Sequence, residues 1–302
     1  MHLLLSRSFD PYYNLSLEAW LLQQSLPQHG VLLLYRNDPV LVCGKNQCLW
    51  KEGNWQYLLG GGKAARRISG GGTVWHDHGN LNIALLFPHD DRKVAHYPFF
   101  QQPLLYGLQQ KGIPLQANQR FDLILHDKKI SGHAQFTNRK NMISHGTLLF
   151  SADLAALRTA LHPNPFLVES RAVSSVRSSV ANLTDFTDAF PDIYSLINAL
   201  PVWYECSEEW VLTEEQQQAV ERIQIEQYAR PEWIYHRGPD ARISHSQWPF
   251  SISSGLLHPE SDTESVMQWL SGTVFTPHEL QKRLSLPESP LSYVDWLNRL
   301  LS

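Results

Sequence analysis

The segment Arg66-Arg67-Ile68-Ser69-Gly70-Gly71-Gly72-Thr73-Val74-Trp75-His76-Asp77 limits what this chain can fold into more than any other. Three consecutive glycines lose too much backbone entropy to continue a helix or a strand, so the chain must turn there. The same residues let the backbone approach a ligand closely and aim successive N–H groups at one anion. Two arginines just before them carry fixed charge and forked donors suited to phosphate. The spacing is not that of a Walker loop, because no Lys-Ser or Lys-Thr follows the glycines. The earlier triplet Gly60-Gly61-Gly62 has no comparable frame of charge and hydroxyl groups and reads as a plain turn.

Short apolar runs surround the loop. Val31–Tyr35 and Val40–Cys43 predict buried strands separated by Asn37-Asp38-Pro39, with further strands expected at 64–68, 81–87 and 145–150. Asn14 is placed to cap a helix through Leu15–Leu22. Pro103 is placed to open a helix that Gly112 ends, and Ser151 to cap one over 152–161. Asp122–Leu125 and Lys129–Gly132, around a turn at Asp127-Lys128, read as a tight hairpin in which Lys128 is a solvated residue. Residues 163–187, rich in Ser, Asn and Thr, read as a functional loop, and helices are expected at 193–200 and 214–228. Strands and helices interleave without strict alternation, which gives an α+β (mixed α/β) class rather than a doubly wound parallel sheet. The 302 residues fit one large domain, 1–236, and a small one, 239–302.

Composition narrows the function. No stretch approaches the roughly 20 uncharged apolar residues of a membrane helix, and the apolar run after Met1 is too short for a signal peptide. Cys43, Cys48 and Cys206 form neither a zinc pattern nor a disulfide framework, so a reducing, cytoplasmic setting is expected. A net charge of −4 argues against a general nucleic-acid binder. Yet Lys63, Arg66, Arg67, Lys128, Lys129, Arg139 and Lys140 crowd the first half, and a locally positive cleft suits one anionic ligand such as a nucleotide. His76 and His78 share a strand face but have no further ligands nearby in sequence, so no metal site is assigned to side chains.

Arg66-Arg67-x-Ser69-Gly70-Gly71-Gly72-Thr73-Val74-x-His76-Asp77-x-Gly79-Asn80 resembles the signature of the lipoate–protein ligase A family. Three further motifs follow the family's order. They are Gly44-Lys45-Asn46-Gln47 with Trp50, Glu52 and Asn54; Arg120-Phe121-Asp122-Leu123 with Lys129-Ile130-Ser131-Gly132-x-Ala134; and His145-Gly146-Thr147-Leu148-Leu149 with Ser175-Val176-Arg177-Ser178 and Asn182-Leu183. The match runs from about Asp10 to Trp233, roughly three-quarters of the chain. It implies a biotin/lipoate protein ligase-like catalytic domain of mixed sheets flanked by helices, followed by a shortened C-terminal accessory domain. The implied activity is ATP-dependent conversion of lipoate to lipoyl-AMP, with Mg2+ accompanying the nucleotide. The lipoyl group then passes to a lysine on the lipoyl (carrier) domains of 2-oxoacid dehydrogenase E2 subunits or on the glycine cleavage H protein. A cytoplasmic monomer without nucleic-acid or membrane partners is implied as well.

The resemblance also assigns residues. Lys129 and Asp122 are expected to be catalytic. Arg67, Gly71, Gly72, Thr73, Val74, Trp75, Asn80, His145 and Thr147, with Lys129, are expected on ATP or the adenylate, and Val42 and Ala134, again with Lys129, on lipoate. The chemistry fits these types. Two like charges about 4 Å apart repel by roughly 4 kcal/mol at an effective dielectric near 20, so a cation must join the carboxylate to the α-phosphate. Asp122 and His145 are candidates to accept or orient the proton of the incoming lysine. Val42, Trp75, Leu85, Ile130 and Ala134 are the apolar residues near the motifs from which an acyl slot would be built, and one slot fits lipoate or octanoate. A lipoyl/octanoyl transferase of the same fold, working without ATP, would need a thioester-forming cysteine. None lies between Cys48 and Cys206, which favours the ligase.

Overall fold

The short apolar runs pair into three sheets. In the computed structural model, which describes residues 1–260 and 264–302, the strands are β1 (His2–Leu5), β2 (Val31–Tyr35), β3 (Val40–Cys43), β4 (Ala64–Arg66), β5 (Val74–His76), β6 (Asn80–Pro88), β7 (Gln116–Ala117), β8 (Leu123–Leu125), β9 (Lys128–Thr137), β10 (Asn141–Leu149), β11 (Leu167–Ser170), β12 (Glu208–Glu209), β13 (Ala241–Ser244), β14 (Phe250–Ser253) and β15 (Leu256–Pro259). A mixed eight-stranded sheet has the order β12-β1-β2-β6-β10-β9-β8-β7. Strands β4-β3-β5 form a second sheet and β11-β13-β14-β15 a third. With helices on both faces of the large sheet, the mixed α+β class expected from the sequence is the one found.

Helices Tyr97–Gln110 and Ile193–Trp203 cover one face of the large sheet with Phe100, Leu104, Leu108, Leu196 and Leu200. The helix Pro11–Leu21 covers the other. Its Leu17, Trp20 and Leu21 pack on β2 and β6, while Leu15 and Ala19 pack on Val40, Val42 and Ala65 of the small β4-β3-β5 sheet. A helix wedged between two sheets is buried nearly all round, so that even its polar Asn14, Ser16 and Glu18 are buried.

Several local expectations are corrected. Asp10, not Asn14, caps the first helix: its carboxylate accepts from the Tyr12 and Tyr13 N–H groups, and Pro11 sets the first helical turn. Asn14 lies inside that helix, and its Nδ2 donates to Ser8 O, Arg36 O and Asn37 Oδ1. Pro103 sits within a helix that begins at Tyr97, with Pro98 in the first turn. Asp153 rather than Ser151 caps the helix Leu154–Ala160. The hairpin turn is centred on His126 and Asp127, both at positive φ, so Lys128 is already the first residue of β9. Two positive φ angles are what a two-residue hairpin of matching twist requires.

The C-terminal part does not stand on its own core. Strand β11, from the segment expected to be wholly irregular, pairs with β13. Trp248, Phe250, Phe275 and Trp296 continue without a break into Trp50, Trp55 and Leu58; the Trp50 and Phe275 rings are 4.8 Å apart. Tyr293 OH donates to Leu59 O at 2.6 Å. A segment of this length supplies only a marginal core by itself, and here it borrows one. Among the described residues no helix is long and apolar enough to cross a membrane.

A chain ended at residue 238 would leave β11 unpaired and uncover Trp50 and Trp55. It is expected to keep its far-ultraviolet circular dichroism but to lose near-ultraviolet signal and cooperative unfolding. A sharp, two-state denaturation curve from that chain would contradict a shared core.

Candidate active site

Strand β4 ends at Arg66 and Arg67 follows it directly, and successive side chains of extended chain face opposite ways. Arg66 is fully buried and points away from the glycine loop. Its N–H groups donate to Trp233 O, Ile234 O, Gly44 O and Gln47 O. Of the two arginines read as phosphate donors, this one is spent on holding backbone. Arg67 points the other way. Its Nη2 donates to Gly70 O and to Gly72 O at 2.7 Å, Nη1 to Val42 O at 3.2 Å, and Nε to Ser69 Oγ at 3.0 Å. It therefore staples the glycine turn and lays a positive charge under it. Gly71, at φ 86°, adopts a backbone conformation that other residues take only with strain.

Beneath the turn runs a buried polar chain. Tyr35 OH donates to Glu18 Oε1 at 2.9 Å, and His145 Nδ1 lies 2.8 and 2.9 Å from the two Glu18 oxygens. His145 Nε2 lies 2.6 Å from Ser69 Oγ. A carboxylate only accepts, so Nδ1 carries the hydrogen, and in the neutral ring Nε2 accepts from the Ser69 hydroxyl. Ser69 Oγ in turn accepts from Arg67. Every donor in the chain thus points toward Glu18, which is fully buried.

Lys129, the second residue of β9, forms an ion pair with Asp122, Nζ to Oδ1 2.7 Å. Gly132 makes room for it, since a Cβ there would lie 2.9 Å from the lysine Cε and Nζ. The pair stands where two cavities meet. One, of about 310 Å³, lies between the large sheet and β5, bounded by Leu15, Tyr35, Val74, Asn82 and Ala134. The other, of about 550 Å³, opens toward Trp75, Leu149, Leu157, Arg158 and Arg177. Lys129, Thr73, Val74, Gly132 and Thr147 border both. Residues 174–176 close over the junction. Ser175 Oγ accepts from Thr73 N at 2.8 Å and Gln47 Nε2 at 3.1 Å, and Ser175 N–H donates to the Glu52 carboxylate.

Most of the residues singled out in the sequence meet here. Arg67, Gly71, Gly72, Asp122, Ala134 and His145 border the smaller cavity, and Trp75 the larger. Val42 and Asn80 border neither. Val42 packs with Leu15 and Ala65 and contributes only its carbonyl to Arg67. Asn80, the first residue of β6, is buried and its Nδ2 donates to Asn82 Oδ1. Leu85 belongs to the core on the opposite face. His76 and His78 part company: His76 Nδ1 meets Asn37 Nδ2 at 2.9 Å, and His78 stacks on Phe9 and pairs with Asp38. The sequence reading missed Glu18, Tyr35 and Asn82. Glu18 carried a signal, as the acidic residue inside an apolar helix.

Burial, with the nearby Arg67 charge, lowers the His76 imidazole to about 3. Burial, again the leading cause, lowers His133 to about 4, with Lys129 also lowering it and Asp122 opposing. Both rings are therefore neutral near pH 7.

The model of the lipoyl protein ligase A/B catalytic domain matches residues 10–202. The lipoate-protein ligase LplJ of Bacillus subtilis is 33% identical over 260 residues, covering 83% of this chain and 78% of its own length. Two solved structures share the fold. A lipoate-protein ligase A bound with ATP superimposes with a TM-score of 0.66 at 24% identity, over 77% of this chain and 97% of that one. A bipartite lipoate protein ligase of Thermoplasma acidophilum, described with its E2 lipoyl domain, gives 0.65 at 22% identity, over 78% and 95%.

The two depressed histidines set a pH dependence of stability. In the unfolded chain they take up protons near pH 6.5, which the folded state refuses. Their contribution is complete above about pH 6.5 and is lost as pH falls toward 4 and then 3. Melting temperature should therefore drop between pH 7 and pH 4. His133→Gln should flatten that slope by up to about 1.4 kcal/mol per pH unit; an unchanged slope would mean that His133 is charged in the folded state.

Proposed function

Because the chain belongs to the lipoyl protein ligase A/B catalytic-domain family, we propose that it is an ATP-dependent lipoate–protein ligase. The observation that carries this reading is the place of Lys129 at the junction of two cavities. The smaller arm, walled by Leu15, Val74 and Ala134, suits an acyl chain. Each buried methylene adds roughly 0.8 kcal/mol. The larger arm, with Trp75 and Leu149 for a base and Arg158 and Arg177 for phosphates, suits the nucleotide.

In the first step a lipoate carboxylate oxygen attacks the α-phosphorus and pyrophosphate leaves. The Lys129 ammonium lies between the two anions and offsets their repulsion. Asp122 holds that amine by the ion pair, and Arg67 braces the glycine turn that borders the smaller arm beside it. Mg2+ would travel with ATP on the phosphate oxygens. Glu52, a carboxylate on the larger arm, already accepts from Ser175 N–H, so the nucleotide rather than the protein supplies most of the ligands.

In the second step a lysine amine of a carrier lipoyl domain, on an E2 subunit or the glycine cleavage H protein, attacks the acyl carbon and AMP leaves. That amine must first lose a proton, a handicap of roughly 4–5 kcal/mol at pH 7. In this reading Asp122, ion-paired to Lys129, and His145, paired to Glu18, are the candidates to orient or accept it. The competing transferase mechanism requires a cysteine at the cleft. Cys43 and Cys48 are buried, burial raises both thiols, and neither borders either arm.

Lipoate-dependent exchange between ATP and pyrophosphate tests the first step directly and is expected. Lys129→Ala should lower it by at least about 100-fold; exchange at the wild-type rate would remove Lys129 from the mechanism. Gly132→Ala places a methyl against the Lys129 amine, whose flexible end can swing aside. The variant should melt within about 4 °C of wild type yet lose roughly tenfold or more in exchange rate. A large stability loss instead would show that Gly132 serves the fold.

A further inference from the structure

Glu18 is a carboxylate in a place where a neutral side chain would cost less. It is 0% exposed, lies within the first helix and borders neither arm of the cleft. The only hydrogen-bond partners of its side chain among the described residues are the Tyr35 hydroxyl and the His145 ring. What a carboxylate does here that an amide of the same shape cannot is accept at both oxygens. Oε1 takes the Tyr35 hydroxyl at 2.9 Å, and His145 Nδ1 lies 2.8 Å from Oε1 and 2.9 Å from Oε2. With a glutamine in that place, either orientation of the amide would set an N–H group against Nδ1–H. The ring would escape by moving its hydrogen to Nε2.

The carboxylate therefore dictates the tautomer, and the tautomer dictates the direction of the next link. Nε2 is left to accept from the Ser69 hydroxyl at 2.6 Å, and Ser69 Oγ accepts in turn from Arg67 Nε. Arg67 then spends Nη2 on the carbonyls of Gly70 and Gly72. The Glu18 charge also favours the charged form of Arg67, which burial disfavours more strongly. Serine, histidine and carboxylate in this order have the pattern of a nucleophilic triad. Ser69, however, is 0% exposed, so no substrate reaches its hydroxyl. Both ring nitrogens of His145 are taken as well. The chain works inward, on the turn above it.

We infer that Glu18 is a positioning residue for activation of the acid. By fixing the His145 tautomer it sets, through Ser69 and Arg67, the place of the glycine turn beside Lys129. The His145–Glu18 pair then serves the first step and does not take the proton of the incoming amine. This rests on the ligase reading above, and it leaves Asp122 as the candidate for that proton.

The two steps separate the roles, because exchange between ATP and pyrophosphate involves no carrier amine. In the full chain, Glu18→Gln should lower lipoate-dependent exchange about tenfold. Ser69→Ala, which cuts the chain one link nearer the turn, should lower it by a similar factor. The double variant should fall no further than the worse single one, since the two act in series. Nuclear magnetic resonance of the chain labelled with 15N-histidine reads the tautomer. The His145 hydrogen is expected on Nδ1 in wild type and on Nε2 in Glu18→Gln, the signals being identified by their loss from His145→Gln. Wild-type exchange in a folded Glu18→Gln, with or without loss of transfer from preformed lipoyl-adenylate, would overturn the inference. So would multiplied losses in the double variant, or a hydrogen on Nε2 in wild type. Should Glu18→Gln fail to fold, Ser69→Ala alone decides, and exchange within about twofold of wild type would sink the idea. No exchange in wild type would instead overturn the ligase reading and take this inference with it, whatever the tautomer.

Discussion

Two buried guanidinium groups, side by side in sequence and back to back in space, hold this molecule together. Alternation at the end of β4 sends Arg66 and the next residue, Arg67, to opposite sides. Arg66 gathers carbonyls from the turn after β3 and from Trp233 and Ile234, where the chain enters its C-terminal part. Arg67 gathers the carbonyls of the glycine turn. A buried cation is tolerable only when its donors are matched, and each arginine is matched mainly by main-chain oxygens rather than by a carboxylate. Lysine could not replace either one, because a single ammonium cannot reach carbonyls spread over so wide an arc.

The glycine turn and Lys129 are positioned by different means. The turn is fixed from beneath, through Arg67, Ser69 and His145 to Glu18. The lysine is fixed from the side, by the hairpin that brings Asp122 against Lys129 and by the missing side chain at Gly132. These supports come from separate elements, the first helix and β10 in one case and the β8–β9 hairpin in the other. On the proposed ligase reading, the cleft between them sets the braced glycine turn beside Lys129. Preorganised donors of this kind stabilise developing charge without the reorganisation that water would need.

The parts legible in the sequence were those encoded by residue type and local spacing. The buried runs 31–35 and 40–43, the two glycine turns, the β8–β9 hairpin and the Lys129 motif all carry their signal within a few residues. Helix starts were missed where two candidate caps competed. Asp10 before Pro11 outweighs Asn14, and Pro98 opens a helix that tolerates Pro103 inside it. Site residues were missed for another reason. Asn82 and Tyr35 reach the cavity only through cross-strand register, and Val42 was misplaced because a strand residue's face depends on which sheet packs on it. No local pattern encodes such pairings, since a one-residue change of register would turn every one of these side chains to the other face.

The long segment after the helix Leu154–Ala160 gains meaning from the same logic of long-range pairing. Strand β11 ends at Ser170, and Val173 already borders the smaller cavity. The stretch that closes over the cleft is therefore suspended from the third sheet, whose other strands belong to residues 241–259. On its far side it is tied by Ser175 to Gln47, Glu52 and Thr73. Val173–Ser175 thus joins the C-terminal sheet to the glycine turn by one short piece of chain, alongside the shared core and the Arg66 bridge to Trp233 and Ile234. The C-terminal part thus bears on the cleft without bordering either cavity, through the β11–β13 pairing from which the closing stretch hangs.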